Sequence, residues 1–138
     1  MFTQGTEQVV QSWHAFTTRR VVANEFRVAE ADMLKPSRST AEVAFARQVA
    51  MYLAHVVYSM SYTDVAAAFG RERSTVAHAC AIIEDARDDI VFEERISKLE
   101  DRLMRLNRVR QQGRIESGKS LATIFAGRKS EETSFDNR

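Results

Sequence analysis

Phe69-Gly70-Arg71-Glu72-Arg73-Ser74-Thr75-Val76-Ala77-His78-Ala79-Cys80 is the stretch that decides the fold. Just upstream, Ser61 and Asp64 stand three residues apart, the spacing of a capping box in which a hydroxyl and an acid satisfy orphan backbone N–H groups. Val65, Ala68 and Phe69 then fall at i, i+3 and i+4 and form one buried stripe on a helix of barely two turns. Gly70 supplies the freedom to stop that helix. A second helix begins near Ser74 and runs to about Ala86, with Val76, Ala79, Cys80 and Ile83 facing inward. Ser74, Thr75 and His78 are left together on the other face, with Arg71 and Arg73 at the N-terminal end. Two short helices, a glycine turn and an outward face of hydroxyls, imidazole and guanidinium predict a helix-turn-helix.

Helical hairpins joined by glycine are common, and a polar outer face is often only solvated. The stretch alone therefore leaves DNA binding and plain packing both open. Working outward, Ser39 and Glu42 form a second capping-box pattern. It opens a helix of about 18 residues whose inner positions, Val43, Ala46, Ala50, Leu53 and Val57, step as a core helix should. Asp32 to Leu34 read as a short helical turn, followed by the loop Lys35-Pro36-Ser37-Arg38-Ser39. Residues 6 to 26 carry Val9, Val10, Trp13, Phe16, Val22 and Phe26 at roughly helical spacing, with a break expected near Thr17-Thr18. Asp85, Asp88 and Asp89 mark the start of a last helix, where acids favour the N-terminal dipole. That helix covers roughly 89 to 111, with Phe92, Ile96, Leu99, Leu103 and Leu106 on one face and Arg102, Arg105 and Arg108 close together on its surface.

Phe-Gly-Arg-x-x-x-Thr-Val-x-His-Ala-Cys is similar to the signature of the C-terminal DNA-binding domain of DnaA, the bacterial replication initiator. Val22-Ala23…Phe26-x-Val28…Asp32-Met33-Leu34 resembles that domain's entry helix, and Ala46-Arg47-Gln48-Val49-Ala50-Met51-Tyr52-Leu53-Ala54 its central helix. Asp89…Phe92…Ile96…Leu99…Leu103 resembles its last helix. The resemblance runs in order over residues 18 to 104. It implies an all-α, multi-helix fold containing a helix-turn-helix, here with an extended last helix and a flexible C-terminal tail.

The resemblance also implies a DNA-contacting set. Thr75 and His78 match positions that face the major groove, and Arg47 and Gln48 match phosphate-contacting positions on the central helix. Tyr62 and Thr63 stand where the family grips the backbone with main-chain groups. The family's usual Gly-Gly-Arg-Asp-His-Thr is here Gly70-Arg71-Glu72-Arg73-Ser74, one glycine shorter. Glu72 can accept from a cytosine amine, and Arg73 can donate to guanine or to a phosphate. The family's minor-groove arginine has its register at Ser39, with Arg38 one residue away. After Cys80 the family carries Arg-Lys, where this chain has Ala81-Ile82.

Composition narrows the remaining classes. A chain of 138 residues with 44% hydrophobic content suits one globular domain. Residues 1–17 read as an N-terminal helical extension, 18–110 as the DnaA-like domain, and 111–138 as a mobile tail rich in Gly, Ser, Lys and Glu. One cysteine forms no internal disulfide and suits a reducing cytoplasm. No signal peptide is visible, and the apolar run Val49 to Met60 is too short to span a bilayer. Net charge is +1, with the basic excess after residue 89, so phosphate attraction should be local.

Gly113-Arg-Ile-Glu-Ser-Gly118-Lys119-Ser120 satisfies the phosphate-loop pattern, but a basic helix end precedes it where a buried strand is needed, so no nucleotide is expected. Three histidines and one cysteine show no metal-ligand spacing, and no catalytic constellation is evident. The chain is thus expected to be a non-enzymatic, cofactor-free, cytoplasmic binder of double-stranded DNA at origin or promoter sites, free-standing and without an ATPase. It would regulate replication initiation or transcription. The alternative is a protein-interaction module that keeps the fold and engages DnaA or another regulator, with Ile82 and the acidic first 89 residues as its support.

Overall fold

The computed structural model describes residues 2–36 and 39–115, with the side chains of 2–6, 114 and 115 left aside. Five α-helices follow in order: α1 Phe2–Phe26, α2 Ala41–Tyr58, α3 Tyr62–Phe69, α4 Arg73–Ala86 and α5 Ile90–Ile115. A 3₁₀ turn, Glu30–Leu34, lies between α1 and α2, and there is no strand among the described residues. The all-α expectation and the helix-turn-helix both hold. Two compact units divide the chain, Met1–Leu103 and Met104–Arg138.

Three local expectations shift. No break interrupts α1 at Thr17-Thr18. The Thr18 hydroxyl donates to the His14 carbonyl one turn back, at 2.7 Å, so the side chain that weakens helices elsewhere satisfies itself inside this one. Thr40 rather than Ser39 caps α2, its Oγ1 accepting from the Val43 N–H at 3.2 Å. Finally, α5 continues to Ile115, past the expected end near 111. The rest of the tail, and Arg38 with it, lies outside the described residues.

The core of the first unit forms where the helical stripes meet. Val22, Met33, Ala46, Val49, Leu53, Val65, Phe69, Val76, Ile83 and Ile96 are fully buried, and burying each large side chain contributes roughly 1.5–3 kcal/mol. Val57, expected on the α2 stripe, is only half-buried. An aromatic chain links α1, α2 and α5: Phe45 lies edge-on to Phe26 at 5.9 Å and tilted against Phe92 at 5.7 Å. At the far end of α2, Tyr58 stacks on His14 at 4.0 Å and donates to the Leu103 carbonyl at 2.9 Å.

One polar node ties the end of α4 to α2 and α5. The Arg87 guanidinium donates to both Glu93 oxygens, to both Glu100 oxygens and to the Tyr52 hydroxyl, which donates to Glu84 at 2.6 Å. Burial first, and then Glu84, push the Tyr52 phenol up to about 12. The hydrogen bonds from Arg87, and then from Ser97, hold Glu93 down at about 2.

Among the described residues, three chain reversals use the left-handed region: Arg27 (φ 56°), Ser59 (φ 56°) and Gly70 (φ 64°). Only Gly70 enters it without penalty. A Cβ there would meet nothing within 4 Å, so Gly70→Ala should cost only backbone strain, about 1–2 kcal/mol. Ser59→Gly should lose little or gain stability for the converse reason. Urea unfolding of both variants checks the pair; equal losses in the two would contradict it.

Glu93 sets a pH dependence with a definite sign. The unfolded chain protonates this carboxyl near 4.5 and the folded chain near 2. Its contribution is therefore complete above about pH 4.5 and fades as pH falls toward 2. Glu93→Gln should be less stable than the parent at neutral pH, with the gap closing through that window. Urea titrations at stepped pH report it; a gap independent of pH would be the contrary outcome.

Candidate nucleic-acid interface

Ser61 caps α3, its hydroxyl accepting from the Asp64 N–H at 3.0 Å. Gly70 ends α3, and the Arg71 N–H turns back to the Ala66 carbonyl at 3.0 Å. The reversal aims α4 so that Val76, Ala79, Cys80 and Ile83 are buried while Glu72, Arg73, Ser74, Thr75 and His78 are exposed. Each inward and outward assignment made for α4 from periodicity is found in the structure. Its first residue is Arg73, and Glu72 stands at the N-cap without a side-chain capping bond.

Glu72, Ser74, Thr75 and His78 form no side-chain hydrogen bond or ion pair among the described residues. The Arg73 guanidinium lies over the Tyr62 ring at 5.7 Å, and that ring rests against His55 at 4.5 Å. The His55 Nδ1 donates to the Met60 carbonyl at 2.7 Å. Tyr62 is therefore half-buried and holds Arg73 beside the N-terminal end of α4, while Thr63 on the same short helix is exposed.

Two arginines of the expected set donate to acceptors within the protein. The buried Arg47 donates from Nε to the Met33 carbonyl at 2.6 Å and from Nη2 to the Ser39 hydroxyl at 3.0 Å. Arg71 donates from Nη2 to the Lys35 carbonyl at 2.8 Å and from Nη1 to the Phe69 and Gly70 carbonyls at 3.3 and 3.2 Å. Both guanidinium groups thus converge on Met33, Lys35 and Ser39. Charge-assisted bonds to carbonyls offset the cost of burying Arg47, whose pKa burial and the neighbouring Arg71 lower. They pin the turn of the helix-turn-helix to the loop before α2. Gln48 is half-buried, Ser39 serves as the Arg47 acceptor, and Lys35 pairs with Asp32 at 2.8 Å.

Sequence reasoning missed two braces of this surface. Gln11, on the extension, donates to the Asp64 carboxylate at 3.0 Å. Arg19 bonds Glu30 at 2.8 Å and the Ala68 carbonyl at 3.3 Å, its guanidinium 5.3 Å from the centre of the Phe69 ring. Both seat α3 on α1. Neither has a sequence signal, because their acceptors lie 11 to 53 residues away. Cys80, on the inner stripe, has its thiol pushed up to about 11 by burial and then by Glu84, and no cluster of three metal-ligating side chains exists among the described residues.

Comparison with known proteins agrees with this geometry. The family model described as the bacterial DnaA protein helix-turn-helix matches residues 18–83. The chromosomal replication initiator protein DnaA of Rhodopseudomonas palustris (strain BisB5) is 38% identical over 87 residues, covering 62% of this chain and 18% of that protein. DnaA 2 of Chlamydia trachomatis serovar D is 43% identical over 77 residues, covering 55% and 17%. A solved replication initiator DnaA bound to AMPPCP and single-stranded DNA superposes with a TM-score of 0.64 at 27% identity, covering 75% of this chain and 32% of that one. The chain spans less than a fifth of the length of these curated relatives. Residues 18–83 are thus similar to the bacterial DnaA helix-turn-helix domain in sequence and in fold.

Proposed function

We propose that the protein binds double-stranded DNA sequence-specifically through its helix-turn-helix, at origin or promoter sites in the cytoplasm, and so regulates replication initiation or transcription. The observation that carries this reading is the outer face of α4. Four polar side chains there, Glu72, Ser74, Thr75 and His78, are exposed and spend no hydrogen bond within the described protein. A helix of this kind enters the major groove with its N-terminal residues at the base edges. Thr75 and His78 face bases, Glu72 accepts from a cytosine amine, and Arg73 donates to guanine or to a phosphate. Thr63 and Tyr62 meet the backbone at the start of α3. Arg47 and Arg71 act indirectly, by holding Met33, Lys35 and Ser39 beside the turn. The reading assigns no catalysis, metal or nucleotide. The residues before the phosphate-loop pattern and its first three, Gly113 to Ile115, all belong to α5, where a strand followed by a loop would be needed.

A second reading has its own observation. Ile90 and Val91, at the start of α5, are 75% and 71% exposed beside the exposed acids Asp88 and Asp89. A protein-interaction module acting on DnaA or another regulator would use such a corner. Salt-dependent binding of duplex by the purified protein separates the two.

His78→Ala should weaken binding to the preferred duplex by about 1–3 kcal/mol, the worth of a good base contact, and leave the thermal midpoint unchanged. Unchanged affinity at the best genomic site would reject the assignment. The substitutions at Glu72, Arg73 and Ser74, and serine at the register of the minor-groove arginine, should alter preference for the DnaA site. A competition between that site and random duplex measures this; a preference of about a thousandfold or more would show that the changes are silent.

A further inference from the structure

The unit that carries the helix-turn-helix is poor in available positive charge. Residues 1–103 contain twelve Lys and Arg against fifteen Asp and Glu. Many of those cations are already engaged: Arg19, Arg47, Arg71, Arg87 and Arg95 all donate to protein acceptors, and Lys35 is paired with Asp32. Duplex affinity nevertheless depends on neutralising phosphates. The second unit has the opposite balance, with eight basic and four acidic residues from Met104 to Arg138.

Within that unit, the helical residues 104–115 hold Arg105 and Arg108 at i and i+3, side by side on one face. Both are exposed and neither has a hydrogen bond or ion pair among the described residues, whereas Arg110 donates to Asn107 at 3.3 Å. Neighbouring like charges on one helix face repel and destabilise the helix. The helix dipole does not offset this cost, since its influence is confined to the last turn and α5 ends at Ile115. An external anion would relieve the repulsion, and arginine is the side chain best shaped to fork onto phosphate.

We propose that Arg105 and Arg108 form a second DNA-backbone contact, outside the matched family domain, that supplies sequence-independent grip for a helix-turn-helix unit short of free cations. This inference rests on the proposed DNA-binding function. It differs in assigning affinity and salt dependence to one unit and base discrimination to the other.

The test is the full chain with Arg105→Ala and Arg108→Ala together, titrated by fluorescence anisotropy against the preferred duplex and a random duplex over a range of salt. Each lost phosphate contact reduces the slope of log affinity against log salt by about 0.9, so the double variant should lose up to about 1.8. Both duplexes should weaken by the same factor, and Lys at both positions should restore the slope. Circular dichroism confirms that the helix is retained. An unchanged slope and affinity in the double variant would overturn this proposal while leaving the recognition-helix reading intact. Failure of the parent protein to bind any duplex at low salt would overturn both. Loss of binding only to phosphatidylglycerol vesicles, with DNA binding intact, would assign the pair to a membrane surface and refute the proposal.

Discussion

The arrangement of the candidate site depends on the reversal at Gly70-Arg71. A residue at φ 64° lets α3 end in a single step, and the direction in which α4 leaves decides which of its sides is buried. Arg71 then fastens the turn to the Lys35 carbonyl, while Arg47 fastens the neighbouring Met33 carbonyl and Ser39 to α2. Two cations without a carboxylate partner are held close together by backbone oxygens. This repels, yet the buried Met33 carbonyl that Arg47 holds would otherwise be left unpaired, which is the larger cost. The turn, the preceding loop and the central helix are thus joined by hydrogen bonds as well as by packing.

That bracing separates structural from available charge. Arginines 19, 47, 71, 87 and 95 organise the fold, each spending its guanidinium on internal acceptors. Arg73 is spared because its support is an aromatic face, Tyr62, which positions a guanidinium without consuming its donors. The polar face of α4 is likewise unspent. The hydrogen-bonding capacity of this face is open on a helix whose inner stripe, Val76, Ala79, Cys80 and Ile83, is buried.

The residues of α1 that precede the matched segment take part in the same bracing. Gln11 reaches Asp64, and His14 stacks on Tyr58, so helix preceding the matched residues helps seat the first helix of the motif. A continuous α1 makes this possible, because its residues 11 and 19 sit two turns apart on one rigid element and hold opposite ends of α3.

Sequence alone determined the presence of α2, α3 and α4, the Gly70 turn and the two faces of α4, because each depends on spacing within a few residues: Ser61 with Asp64, Val76 with Ala79 and Ile83. It also carried the family resemblance, which is a linear pattern. The Thr40 cap was misplaced by one residue because Ser39 and Thr40 are equally able to cap; the choice fell to Thr40 once Arg47 claimed the Ser39 hydroxyl. Tertiary structure alone decided the fate of the arginines. In sequence Arg47, Arg71 and Arg73 are cations in or near the helix-turn-helix, and only packing sets two against carbonyls and leaves the third on an aromatic ring. The acceptors lie up to 36 residues from their donors, and a long flexible side chain takes whichever partner the fold brings within about 3 Å.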